Sequence, residues 1–111
     1  MENNYDLTTK EGFENAKNFL MINGWVISPI IPLFKWVIDK ILSPEKSSEK
    51  QIEIARNLII EGKKQGVKKM TVKVGHEAGI NIGIPIENIP LKIKVGNSGD
   101  MEIEVEYKWF K

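Results

Sequence analysis

Leu91-Lys92-Ile93-Lys94-Val95-Gly96-Asn97-Ser98-Gly99-Asp100-Met101-Glu102-Ile103-Glu104-Val105-Glu106-Tyr107 reads as two alternating strands around a turn of glycine and small polar residues. Side chains alternate faces along a strand, so the aliphatic positions share one face and the charged positions the other. Pairing Val95 with Met101 sets Ile93 opposite Ile103, Lys94 opposite Glu102 and Lys92 opposite Glu104. Each such pair contributes about 0.2–1 kcal/mol. A slip of one residue would turn the aliphatic face into water, so the register is strongly specified. Glu102, Glu104 and Glu106 then belong to a solvated face rather than to a pair of catalytic carboxylates.

Upstream, Met70-Thr71-Val72-Lys73-Val74 and Ile80-Asn81-Ile82-Gly83-Ile84-Pro85-Ile86 alternate in the same way. With Gly75 and Gly79, then Asn88 and Pro90, between the runs, the expected sheet is a four-stranded antiparallel meander. Pro85 donates to no ladder, which makes the second strand an edge or a broken strand.

Before the sheet, the period is helical. Ser48 and Gln51 have capping-box spacing and Gly66 is a C-cap, predicting a central helix over Ser48–Gln65. Its apolar arc, with Ile52, Ala55 and Ile59 widened by Ile54 and Leu58, is too broad for one partner. Thr8 and Glu11 have the same capping spacing at the head of a helix carrying Phe13, Ala16, Phe19 and Leu20, which Asn23-Gly24 stops. Pro32 opens a further helix over Leu33–Leu42, which Ser43-Pro44 ends. The fold class is therefore α+β: two N-terminal helices and a four-stranded antiparallel meander on opposite sides of a central helix, in one domain spanning residues 1–111.

The whole chain has 111 residues, 28% of them charged, with 16 basic against 15 acidic side chains, which excludes a histone-like electrostatic binder. Absence of cysteine removes thiol catalysis, disulfides and thiolate metal sites, and one histidine removes a multi-histidine site within the chain. No cofactor is expected. The polar start Met1–Asp6 lacks the features of a secretory signal, so the expected compartment is the cytoplasm. Heavy use of Lys, Ile and Asn suggests an AT-rich microbial genome.

Three features bear on chemistry. Asn18–Phe34 is uncharged but interrupted by Gly24, Pro29 and Pro32, so a spanning helix is not expected. Lys63, Lys64, Lys68, Lys69 and Lys73 form a basic cluster, but no aromatic lies near it and the chain has one arginine, Arg56. Nucleic acid is therefore not the expected partner. His76-Glu77 lacks the second histidine of a zincin and a neighbouring nucleophile.

Aromatics are concentrated near the two ends of the chain. Trp25, Phe34 and Trp36, with Trp109 and Phe110, make an expected partner-binding rim, because aromatics dominate binding hot spots. The expected function is a non-enzymatic accessory domain, immunity-like or regulatory, of a microbial cell or mobile element that docks on a protein. The alternative is a protein held on the inner membrane surface by Phe19–Ile38, with tryptophans at headgroup level.

Overall fold

The structure, a computed structural model, describes residues 2–25, 47–83, 86, 89–96 and 99–107. Its elements in chain order are β1 (Glu2–Asp6), α1 (Lys10–Ile22), α2 (Ser48–Gln65), β2 (Lys69–Val74), α3 (His76–Asn81), β3 (Leu91–Val95) and β4 (Met101–Glu106). The expected helix over Leu33–Leu42 lies outside the described residues.

The content is α+β, but the arrangement corrects the expected meander. The sheet is mixed, in the order β1-β2-β4-β3, with β1 parallel to β2 and the remaining pairs antiparallel. β3 and β4 pair in the expected register, Ile93 with Ile103 and Val95 with Met101. Among the described residues, the run Ile80–Ile86 contributes no strand to the sheet. His76–Asn81 is a short helix, and only an isolated bridge joins Ile86 to Ile89.

The alternation misled because it mixed two kinds of burial. Ile82 and Ile86 are buried, whereas Ile80 is 60% exposed. What seats α3 is the small pair Ala78-Gly79. A side chain at position 79 would run into the Met101 side chain, so glycine permits the close approach to β4. Arg56 then closes the following turn by donating to the carbonyls of Ile82 and Gly83 at 2.8 and 2.9 Å.

The polar N-terminus supplies the strand beside β2 instead. Tyr5 pairs with Val72 and Asn3 with Met70, and Leu7 behind them is fully buried. Glu-Asn-Asn-Tyr-Asp has weak intrinsic strand preference, so β1 exists through its ladder and its packing.

Helix α1 lies over that edge, with the Tyr5 and Phe19 ring centroids 5.9 Å apart. Phe13, Ala16 and Leu20 are buried, as their spacing predicts. The cap, however, is Thr9, whose hydroxyl accepts from the Gly12 amide; Thr8 instead donates to the Asp6 carboxylate. Helix α2 spans Ser48–Gln65 as expected, but its cap is Ser47 rather than Ser48, accepting from the Lys50 amide, and it ends at Gly66 in the left-handed conformation, φ 75°. Released from the cap, Gln51 is buried and accepts from the Gly75 amide at 2.7 Å, tying α2 to the head of α3.

Helix α2 touches α1, α3 and β2, and α1 also touches β1, so the helices share one face of the sheet. This overturns the expectation of helices and sheet on opposite sides of α2. The broad arc of α2 is satisfied by neighbouring helices and the sheet together, with Ile54, Ala55, Leu58 and Ile59 fully buried. Each of the larger three, Ile54, Leu58 and Ile59, is worth about 1.5–3 kcal/mol of burial. Tyr107 completes the core by donating its hydroxyl to the Ile59 carbonyl at 2.6 Å.

Candidate functional site

Helix α1 stops because Gly24 takes the left-handed conformation, φ 92°, and the chain folds back so that the Trp25 amide donates to the Leu20 carbonyl at 3.0 Å. That reversal aims the indole at the last turns of α2. Its Nε1 donates to Glu61 Oε1 at 2.6 Å, and Lys64 Nζ lies 5.3 Å from the ring centroid, within cation–π range. The second Glu61 oxygen accepts from Gln65 Nε2, which also donates to Asn23 Oδ1 at 3.0 Å. Asn23 in turn donates its amide to the Phe19 carbonyl.

Burial gives this network its weight. Glu61 is 2% exposed, and a buried carboxylate without partners costs several kcal/mol. Both oxygens are engaged, so Glu61 serves as an anchor that fixes the Trp25 rotamer. Asn23, Gly24, Trp25, Glu61, Lys64 and Gln65 line an open depression of about 450 Å³. Beside it, at the end of α1, Met21 is 54% and Ile22 is 84% exposed.

Of the expected rim, Trp25 is half-buried at this site; Phe34, Trp36, Trp109 and Phe110 lie outside the described residues. The basic cluster does not converge on one surface. Lys63 and Lys64 end α2, with Lys64 over Trp25, while Lys73 on β2 pairs with Asp100 at 3.6 Å. His76 and Glu77 are exposed in the first turn of α3. Among the described residues no three His, Asp or Glu side chains are grouped to hold a metal, and no helix is long and apolar enough to cross a membrane.

Glu61 escaped the sequence reading although its spacing carries a signal. It stands three residues after Leu58 and seven after Ile54, on the apolar stripe of α2, where a carboxylate needs partners. Gln51 follows the same logic four residues before Ala55. Met21 and Ile22 carried no comparable signal, because an apolar helix end next to an apolar run reads as core. No protein-family model, characterised protein or solved structure matches the chain.

Proposed function

We propose that this chain is a small non-enzymatic accessory domain, immunity-like or regulatory and cytoplasmic, that docks a protein partner on the end of α1 around Met21, Ile22 and Trp25. The observation that carries this reading is an exposed apolar pair beside a tryptophan held in place from behind. Ile22 stands 84% exposed within three residues of an indole fixed by Glu61 and Lys64. A pre-positioned aromatic loses little entropy on binding, and exposed aliphatics around it supply area that a partner can desolvate. Asn23, Lys64 and Gln65 give the surface a polar rim.

Phe19, which the membrane alternative would place in lipid, packs against Tyr5 and the core instead. The two readings separate in one experiment. Host protein captured on the wild-type chain is compared with capture on Ile22→Asp and Trp25→Ala, beside co-sedimentation with neutral and anionic vesicles. Docking requires a partner that both variants lose while vesicle binding stays absent throughout. Vesicle binding abolished by the same substitutions would sink the protein-docking reading, as would a partner indifferent to both.

A further inference from the structure

We propose that the outer edge of β3 takes up an extended acidic segment of another protein as a fifth strand of the sheet. The strand order leaves β3 at one end, and no described strand pairs with its far side. On the face away from the helices, charge alternates from strand to strand. Lys73 of β2, Glu102 of β4 and Lys94 of β3 stand in one row, and Thr71, Glu104 and Lys92 stand in the next. A strand added beyond β3 meets lysines at alternate positions, and carboxylates there continue the pattern. Opposite charges on adjacent strands contribute about 0.2–1 kcal/mol per pair.

Two details make the edge receptive. Lys94 Nζ reaches back to Glu104 at 3.2 Å, the carboxylate that the register places opposite Lys92. Lys92 is exposed and has no carboxylate within ion-pair distance among the described residues. On the opposite face of the strand, Leu91 and Ile93 are half-buried at the margin of the core and Val95 is 67% exposed. A segment alternating acidic and aliphatic residues therefore satisfies both faces at once, in the manner of strand addition to an open sheet edge. A second copy of β3 does not fit. Antiparallel self-pairing centred on Ile93 sets Lys92 of each copy against Lys94 of the other, which repels.

This inference does not rest on the Trp25 surface, and Trp25→Ala is expected to leave it intact. The probe is a capped heptapeptide alternating glutamate and valine, titrated into the isotope-labelled full chain and followed by amide NMR. Shifts confined to Leu91–Val95 and the adjoining β4 positions are expected, weakening with added salt. Lys92→Glu with Lys94→Glu should weaken binding at least about tenfold and should confer binding of the corresponding lysine–valine peptide. N-methylation of alternate peptide amides should abolish binding by removing the ladder donors. The proposal is overturned if the acidic peptide leaves β3 unperturbed, meaning that Lys92 and Lys94 only protect the edge. It is also overturned if acidic and basic peptides bind alike, or if β3 amides report concentration-dependent self-association without peptide.

Discussion

The β3–β4 hairpin and the run Ile80–Ile86 carry the same aliphatic alternation, yet among the described residues only the hairpin forms paired strands. In the hairpin the polar positions alternate as strictly as the apolar ones, with lysines on one strand and glutamates on the other. Every position then agrees about which face is wet. In the second stretch the intervening positions are Asn81, Gly83 and Pro85, which carry no cross-strand preference and weaken a ladder. Ala78 and Gly79 favour close packing against Met101 over extension. The lesson is physical: alternation specifies a strand when both faces have partners, and aliphatics alone are compatible with a helix and a turn.

The comparison can be broken most directly by truncating one isoleucine from each stretch. Ile103, fully buried and paired with Ile93 and Val72, should cost about 2–5 kcal/mol when changed to alanine. Ile80, exposed on α3, should change stability by less than about 0.5 kcal/mol. Denaturant midpoints check both. Similar losses at the two positions would mean that the second stretch is a buried strand after all.

The junction between helix and sheet layers is probed next. Gln51→Leu keeps the volume but strips the Gly75 amide of its acceptor, and a buried donor left unmatched costs about 1–3 kcal/mol. Loss of protection at Gly75 and along α3 in hydrogen exchange should accompany it.

A smaller effect depends on pH. Burial raises the Tyr107 phenol well above the usual tyrosine range, and raises Tyr5 in the same direction. An unfolded tyrosine loses its proton near about pH 10, while native Tyr107 retains it. The unfolded state then binds fewer protons, so stability is full below that pH and falls as pH rises beyond it. Tyr107→Phe should cost about 0.5–1.5 kcal/mol at neutral pH by deleting the bond to Ile59. It should also flatten the alkaline loss, measured as urea midpoints between about pH 9 and 11. A variant with undiminished alkaline sensitivity would remove Tyr107 from the account.

A charge on the wet face of the hairpin is removed by Glu104→Gln. It discharges the partly buried partner of Lys94 and should shift stability by less than about 1 kcal/mol.

The sequence made the hairpin register, the α2 span, its glycine cap and the buried stripe of α1 legible, because each depends on residues near one another in the chain. Thr8 against Thr9 and Ser48 against Ser47 show the limit of that locality. Adjacent hydroxyls cap equally well by spacing, and competing partners choose between them: the neighbouring Asp6 carboxylate claims Thr8, and the distant Gly75 amide claims Gln51. β1 was illegible for a stronger reason. Nothing in Glu-Asn-Asn-Tyr-Asp announces a strand, and its partner lies more than sixty residues away, Asn4 with Thr71. At the candidate site, Trp25 stood out in the sequence by its type alone. The buried carboxylate that positions it became evident only when the end of α1 folded back onto α2.

The parallel pairing of β1 with β2 is decided by the inter-strand NOE pattern of β2. The account requires parallel contacts between backbone protons of Tyr5 and those around Val72, with slow amide exchange in β2. It also requires sequential helical contacts over His76–Asn81. Antiparallel contacts between residues 80–86 and Met70–Val74, with the first residues of the chain in fast exchange, would contradict it and restore a meander.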